Sequence, residues 1–207
     1  SRFSIDDNVW GRSIEAAELE DPWTEPPEDA FKIVKPLRET PDEPEYLEIG
    51  FRDGLPVSIN GEEMGLLELV ARLNEMGGRH GYGVIDHVED RVIGLKSREV
   101  YEAPAALILI KTHIDIEKMF LGRRFLSFKR EVERVWAELV YGGLWMDPLR
   151  RAIDAFIDES QRGITGDVRV RLFKGSMSIV GRRAEKGLYS KEFITYSREG
   201  LFDQRAG

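Results

Sequence analysis

The sequence contains no cysteine. That removes a disulfide framework, a thiol nucleophile and thiolate metal ligands from the chemistry available to it. It agrees with a reducing compartment, and cytoplasm is the expected location. No apolar run approaches the roughly 20 residues that span a bilayer, and the opening SRFSIDDNVWG lacks the apolar core of a secretory leader; no membrane partner is expected. A basic excess is also missing. Thirty Lys and Arg stand against 38 Asp and Glu, a net charge of -8, whereas binding by phosphate neutralisation needs a basic face. Nucleic acid is therefore not an expected partner. The only histidines, His80, His87 and His113, are too scattered for a local metal motif, and no metal site is expected. No glycine loop of the phosphate-cradling kind is present, neither G-x-x-x-x-G-K-S/T nor a strand leading into G-x-G-x-x-G. The two close glycines of GYGVID lead into a strand and read as a turn. A serine-histidine-acid triad finds no nucleophile elbow to support it, so catalytic residues stay unassigned.

What is present is an ordinary globular composition, 42% hydrophobic and 33% charged over 207 residues, enough for one large domain with a substantial core. Six of the nine prolines fall between Pro22 and Pro44. Proline lacks an amide donor and disfavours a helical residue before it, so this segment reads as extended and irregular. Its Trp23, Phe31, Ile33 and Val34 suggest that it packs on the body. Leu47, Ile49 and Phe51 alternate, as do Leu55, Val57 and Ile59, and Asp53-Gly54 between them predicts a hairpin. Leu66, Val70 and Leu73 form a helical stripe with Gly77-Gly78 as its stop. Val84 to Val88 reads as a short strand, and RVIGL as a second one after a polar turn.

Pro104 suits the first turn of a helix that buries Leu107, Ile110 and Ile114. Gly122 breaks it before a second amphipathic run with Phe125, Phe128, Val132, Val135, Trp136 and Leu139 on one face. Asp147 caps a third helix with Pro148 at its first position. Val168, Val170 and Leu172 begin a last hairpin that turns at Lys174-Gly175 and returns through Met177 and Ile179, and EFITYS is a further strand. The predicted fold is a single α+β domain, with a mixed or antiparallel sheet and long amphipathic helices.

Chemistry concentrates in VEDRVIGLKSREVYEAPA, where Glu89, Asp90, Arg91, Lys96, Arg98, Glu99 and Glu102 crowd around Tyr101. A carboxylate and a phenol at adjoining strand ends suit a zwitterionic or amide ligand, the carboxylate taking an ammonium and the hydroxyl a carbonyl or carboxylate. The plainer account is a charged edge that discourages strand-to-strand pairing. Ser4 and Ser13 by themselves read as cap or turn residues. Tyr141 and Trp145, beside a double glycine, read as packing.

FSIDDNVWGRSIEAAELEDPW, YGVIDHVEDRVIGLKSREVYEAPAALIL, WAELVYGGLWMDP and VRVRLFKGSMSIVGRRAEKGLYS occur in order along nearly the whole chain. Together they resemble the C-terminal half of the argininosuccinate synthase family. The resemblance implies a C-terminal synthetase and multimerisation domain over residues 1–207, with the Pro-rich segment 22–44 packed within it. It implies an arginine-biosynthetic ligase that joins citrulline and aspartate with ATP, releasing AMP and pyrophosphate through a citrullyl-adenylate. Family residues that hold citrulline fall on Ser4, Ser13, Glu89 and Tyr101.

ATP is implied as co-substrate, with magnesium, its site mainly in an N-terminal half that this sequence does not include. The chain alone is therefore expected to be inactive. A homotetramer is implied for the intact enzyme, and a C-terminal arm usual in the family is expected to lie beyond this sequence. Gly83-Val84 departs from the glycine-arginine pair that many relatives place before the ID. The alternatives are a non-catalytic assembly module built on the long helices and, less favoured, a hydrolase acting on amino acids, for which no nucleophile is evident.

Overall fold

The computed structural model describes residues 2–184 and 186–189. Strands β1 (Ser4–Asp7) and β2 (Arg12–Glu15) open the chain, a short 3-10 turn follows at Ala17–Glu20, and two more punctuate the Pro-rich segment. Strands β3 (Glu45–Arg52), β4 (Leu55–Ile59) and β5 (Glu62–Glu63) lead to helix α1 (Leu66–Arg79). Strands β6 (Val84–Asp90) and β7 (Lys96–Glu102) precede three helices: α2 (Pro104–Glu117), α3 (Arg123–Tyr141) and α4 (Pro148–Gln161). The described chain closes with β8 (Gly166–Phe173) and β9 (Ser176–Ala184). The α+β class and the antiparallel pairing agree with expectation. The strands divide between two open sheets, ordered β1-β2-β7-β6 and β5-β4-β3-β8-β9. The strand expected at EFITYS lies outside the described residues.

Local turn chemistry accounts for the hairpins. Asp53 and Gly54 both take positive φ, 48° and 76°, and so do Lys174 and Gly175, 43° and 75°, the geometry that matches the twist of paired strands. Asp147 caps α4 by accepting from the Leu149 amide at 2.7 Å. The main core lies between the five-stranded sheet and α1 and α2, where Leu47, Ile49, Phe51, Val168, Val170 and Leu172 meet Leu69, Val70, Leu73, Ile108 and Ile116. A smaller core of Phe3, Ile14, Leu19, Ala30 and Val100 lies under the four-stranded sheet.

Five local expectations are corrected. Gly77-Gly78 is no stop, because both residues lie inside α1 and are buried. A Cβ on Gly77 would stand 2.7 Å from Pro104 Cβ, and one on Gly78 would collide with the Ile33 carbonyl. These glycines serve close packing. RVIGL forms the connection between β6 and β7, where Gly94 takes φ 82°; the second strand begins at Lys96. In α2 the buried side chains include Ala105, Ile108, Leu109, Thr112 and Ile116, while Ile110 and Ile114 are exposed. That helix is apolar on most sides, so periodicity does not choose its inner face. In α3 Phe125 and Phe128 are exposed and Lys129 is the buried residue, since α3 packs mainly on α4. The Pro-rich segment packs through Ala30 and Val34, but Trp23 is 95% exposed.

Arg98 ties this segment to the small sheet, donating to the carbonyls of Asp21 and Thr24, both at 2.8 Å, and to Asp86 at 2.8 and 2.6 Å. The hydrogen bond from Arg98 holds the Asp86 carboxyl below its usual range. Its folded pKa lies below the unfolded value, so its contribution is present above the unfolded pKa and is lost as pH falls through the folded one. The Asp86 side chain is 41% exposed, and solvent screening limits the pair to about 1 kcal/mol or less. Asp86→Asn is expected to lose that amount near neutral pH, with the difference closing in acid below about pH 4. Urea titrations across pH test this, and a gap that widened in acid would contradict it.

Candidate functional site

The four-stranded sheet has two unlike faces, because strand side chains alternate. One face carries Ile14 and Val100 into the small core. On β7 the opposite face carries Ser97, Glu99 and Tyr101. Register places Glu89, His87 and Ile85 beside them from β6 and Ser13 beside Tyr101 from β2. Glu15 follows Ser13 by two, and Ser4 of β1 pairs with Glu15. The four residues singled out in the sequence, Ser4, Ser13, Glu89 and Tyr101, thus share one polar face drawn from all four strands.

Side-chain contacts run across that face without a break. Ser4 Oγ donates to Glu15 Oε1 at 3.3 Å. Arg91, from the β6–β7 connection, pairs with Glu15, lies 3.3 Å from Glu99 Oε1 and donates to Ser97 Oγ at 2.9 Å. The Tyr101 hydroxyl stands 2.7 Å from Glu99 Oε2 and 2.8 Å from Glu89 Oε2. Burial, then the hydrogen bonds to Glu99 and Glu89, push the phenol pKa up, so the hydroxyl keeps its proton. The charge of Glu15, then its hydrogen bond, raises the Arg91 guanidinium.

Chemically this is an acidic plate with one guanidinium and four hydroxyls, those of Ser4, Ser13, Ser97 and Tyr101, suited to holding an ammonium and other N–H groups. The edge-strand account covers part of it. β6 is the sheet edge and carries exposed Asp86, His87 and Asp90. It does not cover Glu89, whose carboxylate turns inward to an inner-strand tyrosine. Among the described residues no group of three or more His, Asp or Glu side chains is placed to hold a metal ion.

Sequence reasoning assigned no role to Glu15, Arg91 or Glu99. The alternation Ser97, Glu99, Tyr101 was the signal for Glu99, but assigning RVIGL to a strand obscured the pairing of Glu89 with Ser97. His80 and His113 lie elsewhere: His80 is buried against Glu45 at 2.9 Å, and His113 contacts Gln161 at 2.8 Å. Tyr141, exposed at the end of α3, donates to the Asp90 carbonyl at 2.8 Å, tying the helical pair to the hairpin below the plate.

A family model described as the arginosuccinate synthase C-terminal domain matches residues 3–207. Curated relatives called argininosuccinate synthase include that of Symbiobacterium thermophilum, 54% identical over 99% of this chain and 51% of its own length. That of Pyrococcus furiosus is 52% identical over 98% of this chain and 50% of its own. That of Rubrobacter xylanophilus is 52% identical over the whole of this chain and 50% of its own. The chain spans about half the length of the curated relatives it matches.

Proposed function

This chain belongs to the argininosuccinate synthase family, as its C-terminal domain, and from that we propose that its polar sheet face is one wall of a citrulline site. The observation that carries the proposal is the convergence of Ser4, Ser13, Glu89 and Tyr101 on one face of a four-stranded sheet. The reaction assigned to the complete protein is the ATP-dependent joining of citrulline and aspartate. The citrulline ureido oxygen attacks the α-phosphorus of ATP and expels pyrophosphate. The aspartate amine then displaces AMP and forms the new carbon–nitrogen bond.

Residues of this chain act by holding the amino acid so that its ureido oxygen meets the nucleotide; such orientation is worth several kcal/mol of barrier. No proton transfer is assigned to Glu89. ATP, aspartate and magnesium are assigned mainly to the portion of the relatives that this chain does not span, as the family resemblance implies. Cytoplasm is the proposed location; among the described residues no helix is long and apolar enough to cross a membrane.

The proposal also includes subunit contacts in a homotetramer. Its support is the exposed apolar surface of the helical pair, with Phe125, Phe128, Leu144, Trp145 and Met146 open to solvent. The same surface favours the second reading, an assembly module with no ligand of its own.

Joining the chain to a matching N-terminal half and following AMP separates the two readings. AMP formation is expected to require citrulline. Glu89→Ala is expected to raise the citrulline KM about tenfold or more, the scale of one hydrogen bond to a charged group, and Tyr101→Phe less. A folded, complete protein that makes no citrulline-dependent AMP, or variants with unchanged kinetics, would leave the assembly reading in place.

A further inference from the structure

Tyr101 presents a proton-counting problem. Its hydroxyl carries one hydrogen, yet two carboxylate oxygens stand within hydrogen-bond distance, Glu99 Oε2 at 2.7 Å and Glu89 Oε2 at 2.8 Å. A carboxylate accepts only, so the phenol satisfies one of them at a time. The two acceptors are not equivalent. Glu99 Oε1 has the Arg91 guanidinium at 3.3 Å, and its side chain is only 15% exposed. Arg91 is itself fixed by Glu15 and by Ser97 Oγ at 2.9 Å. Glu89 sits on the edge strand, with the phenol as its hydrogen-bond partner and no cation in ion-pair contact among the described residues. Glu89 therefore feels Arg91 only at a distance and lacks the direct cation contact that Glu99 has.

We propose that Glu99 is a positioning residue: when a ligand ammonium occupies Glu89, Glu99 accepts the hydrogen bond from the Tyr101 hydroxyl and leaves the phenol lone pairs facing the ligand as acceptors. The proposal rests on the citrulline reading and deepens it. The ammonium supplies the direct cation contact that Glu89 lacks, and the phenolic hydrogen rotates to Glu99. The lone pairs of the phenol are then free for a second N–H of the same amino acid. Arg91 holds Glu99 in place for this exchange. No bond is made or broken at this site beyond the hydrogen bonds, and no proton leaves the tyrosine.

The test uses the complete protein, the chain joined to its N-terminal half, with steady-state kinetics for citrulline, ATP and aspartate. Glu99→Gln keeps the shape of the side chain, but its amide donates to the phenol oxygen and occupies the acceptor site. The citrulline KM is expected to rise about fivefold, the scale of one modest hydrogen bond, with kcat and the other two KM values little changed. In a Tyr101→Phe background the same substitution is expected to change the citrulline KM less than about twofold, because coupled neighbours are non-additive. Should Glu99→Gln fail to fold, Glu99→Asp withdraws the carboxylate by one methylene and carries the same expectation.

Equal effects of the Glu99 change in both backgrounds would overturn the proposal, as would an unchanged citrulline KM. Glu89→Ala in parallel keeps the two levels apart. If Glu89→Ala raises the citrulline KM and Glu99→Gln does not, the citrulline reading stands and the role of Glu99 falls. If neither moves it, both fall.

Discussion

Glu102→Ala is expected to destabilise the protein by about 3–5 kcal/mol, the cost of breaking a buried charge pair from one side. The Glu102 side chain is fully buried at the end of β7. It accepts from Arg12 Nη1 at 2.8 Å and from three successive backbone amides, Lys32 at 3.0 Å, Ile33 at 2.7 Å and Val34 at 2.8 Å. An extended segment has no ladder partner for its amides, and buried donors left unpaired are costly. One carboxylate therefore replaces a missing strand and fastens the Pro-rich segment across the small sheet. Its removal strands three amides and leaves the buried Arg12 guanidinium with only the Ala30 carbonyl and Asp7.

Against a total stability of roughly 5–15 kcal/mol for a domain, that loss is a large fraction. Urea unfolding of the chain measures it, and hydrogen exchange localises it. The amides of Lys32, Ile33 and Val34 are expected to lose protection, whereas those of β8 keep theirs. An unfolding midpoint within about 0.5 kcal/mol of the parent, the range of ordinary surface changes, would show that this clamp is not needed.

The second large effect is expected at Lys129. It is the buried residue of α3, and its ammonium pairs with Glu117 of α2 at 2.9 Å and with Glu133 one turn along α3. Gln161 at the end of α4 donates to the same Glu117 oxygen at 2.8 Å, and His113 contacts Gln161. This network joins α2, α3 and α4. Burial pulls the lysine pKa down more than any other single influence, but hydrogen bonds and charge from Glu133 and Glu117 together outweigh it and leave it raised. The ammonium therefore stays charged.

Lys129→Met leaves Glu117 buried without its cation and is expected to cost about 3–5 kcal/mol. Adding Glu117→Gln removes the orphaned charge and is expected to recover most of that loss, since replacing both partners is far cheaper than breaking one. Denaturant unfolding of the two variants checks both statements. A double variant no more stable than the single one would mean that Lys129 acts through packing of its stem.

The legible parts of this protein were those set by neighbouring residues. Asp53-Gly54 and Lys174-Gly175 announce hairpins because their positive φ is a local property. Asp147-Pro148 announces a helix start because a cap needs only the next two residues. The family resemblance was legible too, and with it Ser4, Ser13, Glu89 and Tyr101 as candidates. Residue types alone left these four open, as caps, a charged edge or a ligand site, because nothing local brings residue 4 to residue 89.

What only the tertiary structure decided depends on partners far along the chain. Gly77 and Gly78 looked like a helix stop, and their use emerged only against Pro104 and Ile33. The inner face of α2 was set by which neighbours it met, since its own pattern is apolar on most sides. Glu102 looked like one more surface charge until the amides of residues 32–34 came to it from about 70 positions away. Strand alternation by itself determined that Ser97, Glu99 and Tyr101 share a face. Pairing of β1, β2 and β6 with that strand decided that the face is a continuous polar plate, because register between distant strands is chosen by the core they bury together.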